Sequence, residues 1–567
     1  MLSFAVFDSS GPAKEWPPGL AHLFTGGDLP VQGSIRFEDA RLICEKSVTE
    51  AVGLVVQFPV EAPTLAALNG GAPKSGASPL GVLALRTCLL PDRDEPYMLS
   101  LELARHRIME FLNKLEDWGL FDLPTDDGIL QEFELARRTF TEALVAQRHN
   151  VPAGPPSASN GWGFSPEADR LARAALAQAI DAGEKLAVLN AERQLPRRLS
   201  GEAYARAQAQ MAAITQEKPP AGVAILVPNA PSAVVPGVPQ IGVAIAPDQF
   251  GEPLQRGAAT GTDFVTMPMR WIDMEPAEGK YDWASTDRWI EWAVRTAKLP
   301  ITGGPLVDLR PACIPEWLYI WENDYETLRD LVYEHVNSIV TRYRRTVTRW
   351  TVCSGLHVNT NFKLSFEQIM DLTRLCVLAV RKLHPQAKIQ VEIAQPWGEY
   401  HAEHKRSLPP LMYAEAAAQS GLPIDAIGLR VQMGFAASGQ AARDLMAISA
   451  MLDQYGAFGK PIAVSALGVP STASSPADGR VAGVWRSGWT DAGQAEWLSR
   501  VLAICLAKPY VQSVCWQDLA DGSPKNEMPG GGLLAGGGAP KPALAALAQA
   551  HRTVRAGEHA GAPRQGR

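Results

Sequence analysis

Three observations predict a multidomain chain: a C-terminal (β/α)8 TIM barrel preceded by a β-rich, sandwich-like N-terminal domain and a helical middle segment. A length of 567 residues is too great for one hydrophobic core and suggests two to four domains. The hydrophobic pattern changes twice, from short alternating runs to helical spacing near residue 98, then to strand and helix by turns after residue 240. That last region holds eight strand–helix units in about 310 residues, which fits a barrel of typically ~250 residues plus insertions. Periodicity alone leaves a doubly wound parallel sheet as the alternative.

In chain order, residues 1–97 carry the runs Leu2–Phe7, Gly33–Phe37, Ala40–Cys44, Val52–Phe58 and Gly81–Leu90, divided by Gly, Pro and Asp turns. Short strands at that spacing suggest a small sandwich or open barrel. Asn69–Gly76 reads as a loop. Residues 98–217 read as a helical hairpin or bundle: Leu99–Leu115, Gly128–Gln147, and a third helix with Ser165 as N-cap, Pro166 at the first position and Glu167 and Asp169 in the first turn. Asn150–Phe164 reads as a Pro/Gly/Ser linker, 218–239 as the connection into the last domain, and 554–567 as a flexible tail. Within 240–553 the expected strands are 240–246, 263–271, 300–308, 347–353, 387–394, 425–432, 461–467 and 511–516. The clearest helices are Tyr325–Tyr343 and Phe366–Leu383, each with an apolar stripe of helical spacing.

A formal charge of −7 with both signs well mixed argues against a nucleic-acid groove, and no polybasic cluster suggests a membrane surface. The first eight residues lack a basic region and their apolar run stops at Asp8, so a cytoplasmic location is expected. Seven scattered cysteines without CxxC or Cys/His spacing read as reduced, buried thiols, and no metal or cofactor is expected. The oligomeric state has no sequence signal.

The stretch Met269-Arg270-Trp271-Ile272-Asp273-Met274-Glu275-Pro276, continued by Glu278-Gly279-Lys280-Tyr281-Asp282-Trp283, resembles the segment after the second barrel strand of family 10 glycoside hydrolases, the xylanase family. Thr341–Arg344 with Trp350–Gly355, Ala426–Gln432, Pro461–Leu467, Gly532–Leu534 and Pro540–Ala543 resemble later motifs of that family, in order. The resemblance covers about 240–553 and favours the barrel over the doubly wound sheet; a β-rich domain at 1–97 ahead of such a barrel invites the reading of a carbohydrate-binding module, with a sheet that simply packs against its neighbours as the alternative.

The family implies retaining hydrolysis of β-1,4-linked xylan, which needs two carboxyl groups about 5–5.5 Å apart. By the resemblance, the two glutamate positions fall on Gly355 and Ala466, neither of which can donate a proton or attack carbon. The residue before the first is Ser354, Arg270 stands for a lysine, and Arg430-Val431-Gln432 replaces a sugar-holding motif. Substitute carboxylates at strand ends are Asp308, Glu392 and Asp518, with Asp273 and Glu275 after the second strand and Asp521 after the eighth. Sugar-binding candidates are Arg270, Trp271, Trp397, Arg430, Gln432 and Trp516, since pyranose faces stack on indoles. A bland reading of the acids is that Asp308 pairs with Arg270, Arg310 or Arg430, and Glu392 with a neighbouring base.

Three functions are therefore weighed. One is a glycan-binding or scaffold protein that kept the barrel without the family's hydrolysis, with a poly- or oligosaccharide as partner. Another is an active O-glycosyl hydrolase with relocated carboxylates. The last is a structural interaction protein whose barrel mouth is occluded.

Overall fold

The computed structural model describes residues 1–8, 11–16, 21–61, 79–149, 163–217, 219–220, 222–435, 437, 439–473 and 482–561. The expected loop Asn69–Gly76 and nearly all of the expected linker Asn150–Phe164 lie outside them.

Eight parallel strands close into a barrel: β1 (Gln240–Ala244), β2 (Phe264–Met267), β3 (Ile301–Gly303), β4 (Val347–Ser354), β5 (Lys388–Ile393), β6 (Ala426–Gln432), β7 (Ile462–Gly468) and β8 (Val511–Trp516). Closure is direct, because β8 pairs with β1 in the register Gln240↔Ser513 and β3 pairs with β4 at Gly303↔Trp350. These strands are buried along nearly their whole length, as helix-covered parallel strands must be. Two of the expected helices have the expected bounds, Tyr325–Tyr343 and Phe366–Leu383. The expected strand 263–271 is too long. It stops at Met267, and Trp271–Met274 instead forms a short helix, which an apolar run cannot distinguish from strand.

The N-terminal region forms two sheets. One orders Tyr97–Met98, Leu2–Ala5, Arg41–Lys46 and Gly33–Glu38. The other orders Val484–Trp485, Gly81–Arg86, Gly53–Val60, His22–Phe24 and Pro30–Val31. Leu2, Phe4, Leu42, Leu54, Val56 and Leu83 of these sheets share one buried core. The first strand of the second sheet comes from the barrel segment after β7, with Val484↔Val82 and Trp485↔Gly81 in antiparallel register.

Three helices follow: α1 (Leu99–Asp117), α2 (Gly128–His149) and α3 (Pro166–Leu199). The Ser165 hydroxyl accepts from the Ala168 N–H at 3.3 Å, so the expected N-cap is in place. Phe111 of α1 stacks on Phe133 of α2 with ring centroids 4.0 Å apart. Ala172, Ala175, Ala179 and Ala182 form a small-residue stripe that lets α3 lie close to its neighbours. A further helix, Glu202–Thr215, has no counterpart among the expected elements. The expected tail is helix as far as Gly561, because Val554 is buried and Arg555 pairs with Asp263. Among the described residues no helix is long and apolar enough to cross a membrane.

Glu184 of α3 joins all three regions. Its buried carboxylate accepts from the Trp485 indole N–H at 2.7 Å and the Leu445 N–H at 3.2 Å, and pairs with Arg486 at 2.7 Å. Glu184→Ala leaves two buried donors unmatched, at about 1–3 kcal/mol for each unmet group. The variant is expected to unfold at lower urea concentration, by about 2–6 kcal/mol in total. An unchanged urea midpoint would mean that this junction carries no stability.

Candidate functional site

A cavity of about 890 Å³, counting the solvent at its opening, runs from the C-terminal ends of the strands into the barrel. Its floor is polar. Arg349 reaches across the interior to Gln240 at 3.1 Å and Ser513 at 3.4 Å, and Gln390 donates to Thr351 at 2.7 Å.

At the mouth, acids and arginines alternate in one chain. Ser354 donates to Glu392 at 2.7 Å, and Arg430 donates to Glu392 at 3.1 Å. Arg430 also pairs with Glu527, which pairs with Arg310 at 3.1 Å. Arg310 in turn grips Asp308, its Nε lying 2.9 and 3.0 Å from the two carboxylate oxygens. Glu392, Asp308 and Arg430 are buried. Burial disfavours the charge on Glu527, but Arg430, Arg310 and Arg270 together hold its carboxyl down at about 2. Along the rim, Arg270 pairs with Asp273 at 2.7 Å, and Asp273 with Lys525 at 2.8 Å.

Asp518 stands apart. It lines the same cavity and is buried, and its Oδ2 has no hydrogen-bond partner. Burial, reinforced by the charges of Glu527 and Asp521, pushes it up to about 8 against the pull of Arg430. At neutral pH it keeps its proton.

Gly355 directly follows β4 at φ +63°, in the left-handed region. A Cβ there would meet Arg310 Cγ at 3.2 Å and Asp308 Oδ1 at 3.3 Å, so the space next to it is taken. Ala466 lies within β7 and is buried, while the neighbouring Ser465 lines the cavity with an unpartnered hydroxyl.

The aromatic candidates sit elsewhere. Trp271 is fully buried, stacks on His335 at 4.2 Å and donates to Glu275 at 2.8 Å. Trp516 is fully buried and donates to the Gly531 carbonyl at 2.9 Å. Neither lines the cavity. Trp397 is half-buried beneath the Arg443 guanidinium and lines a second cavity, against the N-terminal region. Gln432 is buried, its Oε1 accepting from Gln440 at 3.4 Å. Glu275 is tied to the Gly279 N–H at 2.8 Å, and Asp521 to the Gly532 N–H at 2.8 Å and to Lys541. Glu527 and Lys525, central to the mouth, escape sequence reasoning because their loop has no periodicity or motif. Among the described residues no group of three or more His, Cys, Asp and Glu side chains is arranged to hold a metal ion.

An eight-stranded parallel barrel with its acids and arginines gathered at the strand C-terminal ends, the face where such barrels carry their sites, defines the chain's class: a (β/α)8 barrel protein. Residues 237–550 match the family model Glycosyl hydrolase family 10, and the chain belongs to that family. It is 24% identical over 175 residues to endo-1,4-beta-xylanase A of Xylanibacter ruminicola, covering 29% of this chain and 44% of that protein. It is 23% identical over 164 residues to endo-1,4-beta-xylanase 3 of Hypocrea jecorina, covering 28% and 45% respectively. The chain thus spans less than half the length of the curated relatives it matches. Among solved structures it is similar to native xylanase 10B from Thermotoga maritima, at 16% identity and a TM-score of 0.43, over 56% of this chain and 96% of that one. It is also similar to xylanase 10B from Thermotoga petrophila in complex with xylobiose, at 17% identity and a TM-score of 0.42, over 55% and 94%.

Proposed function

We propose that this chain is a glycoside-hydrolase-like protein of carbohydrate metabolism that binds or scaffolds glycan without the family's retaining hydrolysis. One observation carries the reading: Arg310 and Asp308 fill the space beside Gly355, where the resemblance puts the proton donor. Retaining cleavage needs a second carboxylate about 5–5.5 Å from the first and free to attack carbon. Asp308 and Glu392 are instead committed to arginines, and a carboxylate gripped in this way is a poor nucleophile and a poor acid. The polypeptide therefore keeps the barrel as a platform, with its mouth braced by ion pairs.

The test is reducing-sugar release from xylan by the full chain. Release at the buffer rate is expected. Release above it that disappears on substitution at the mouth would sink the proposal.

A second reading, an active hydrolase with relocated acids, draws on Asp518 alone. A buried acid that keeps its proton near neutral pH has the property that a general acid needs. That reading expects Asp518→Asn to lower turnover about 10²–10⁴-fold, the usual contribution of a general acid. Sugar release that is absent, or indifferent to the substitution, would eliminate it.

A further inference from the structure

A second cavity lies where the N-terminal sheet, α1 and the loops after β5 and β6 meet, and encloses about 1060 Å³ with its opening included. Three side chains in its lining have a buried ring or guanidinium nitrogen without a hydrogen-bond partner: His22 Nδ1, Arg107 Nε, and His106 Nδ1, which lies 3.9 Å from the Glu110 carboxylate. They come from two elements, the strand His22–Phe24 and α1.

The charges in the lining are already matched. Arg86 pairs with Asp28 at 2.9 Å, Arg107 with Glu110 at 2.5 Å and with Asp444, Lys114 with Asp117 at 2.9 Å, and Arg443 with Glu399. An anion entering here would meet Asp28, Glu110 and Asp117, and a cation would meet the four basic side chains. Burial and the adjacent arginines push both histidines down to about 3, so the imidazoles are neutral and each offers one donor and one acceptor. The wall also carries Trp397, half-buried, with the Arg443 guanidinium over one face of its ring. Interleaved donors and acceptors of no net preference, beside an indole, suit a ligand with hydroxyls around its edge and C–H faces.

We propose that this interdomain cavity is a binding seat for an uncharged sugar of one or two residues, with His22, His106 and Arg107 as hydrogen-bonding partners. The proposal rests on the reading of the chain as a glycan-binding protein and moves the sugar away from the barrel mouth.

Titration calorimetry of the full chain with xylobiose, cellobiose and sodium phosphate tests it. One saturable site for at least one of the two sugars is expected, and none for phosphate. Met109→Trp changes an exposed residue on the cavity's rim and should weaken sugar binding at least tenfold while leaving the melting temperature unchanged. Lys525→Trp, which crowds the barrel mouth, should leave binding as it was. In the unsubstituted chain, the imidazole resonances of His22 and His106 should move on sugar addition. The seat is overturned if neither sugar binds, if phosphate binds in their place, or if Lys525→Trp and not Met109→Trp abolishes binding. That last result would keep the sugar but return it to the mouth. Failure of the non-hydrolytic reading is separate, because it appears as reducing-sugar release.

Discussion

Arg430→Met is expected to destabilise the chain by about 3–5 kcal/mol, the range for breaking a buried ion pair from one side. Arg430 is the cation that pairs with Glu392, and it shares Glu527 with Arg310, so the change strands one buried carboxylate and half-frees another. Methionine keeps much of the volume, so the loss reports charge rather than a hole. The pH dependence adds a signature. In the parent, Glu527 titrates at about 2 instead of its ordinary 4.5. Its contribution is therefore complete above about 4.5 and disappears as the pH falls towards 2. In the variant the folded value rises towards 4.5, so that acid limb should narrow and flatten. Urea unfolding at several pH values measures both effects. A midpoint within about 0.5 kcal/mol of the parent, the scatter of ordinary surface substitutions, would show that the mouth pairs are ornamental to stability.

Asp518→Asn is expected to stabilise the chain, increasingly so as the pH rises. Between its ordinary 3.8 and about 8, the folded form keeps a proton on Asp518 that the unfolded form has released. More protons on the folded side mean that stability falls as the pH climbs through this window. A tenfold change in proton affinity is worth about 1.4 kcal/mol, so the full penalty is on the order of 5 kcal/mol, reached only at the top of the window. Asparagine cannot ionise, so its melting temperature should stay flat where the parent's declines. Parallel curves from about pH 4 to about pH 8 would contradict the buried, protonated acid.

The barrel is legible in the sequence because its signals are local. The stripe of Leu328, Val332, Val336, Ile339 and Val340 marks one helix, and the Ser365 hydroxyl and Gln368 side chain cap the next in reciprocal fashion. The strand starts and ends of β4 to β8 fall within a residue or so of expectation for the same reason. The mouth is half legible. Asp308 can be matched with Arg310 two residues away, but Glu527 lies 97 residues from Arg430, in a loop without pattern. Tryptophan count misleads, since a buried indole and a stacking platform have the same letter; Trp516 and Trp271 are packing residues. The second cavity is invisible in sequence because it is made by three regions, none of which holds a site alone.

Because Val484–Trp485 is an outer strand of the N-terminal sheet, the barrel supplies the last rung of a ladder that begins at Gly81, and neither part ends where its sequence pattern ends. Expressed without residues 240–561, the N-terminal piece would present Gly81–Arg86 as a naked border of unmet amides and carbonyls, a template for sticking to other copies. Cutting at the apparent seam near residue 239 should therefore yield aggregates rather than two well-behaved halves, and the two parts must be made, moved and inherited together.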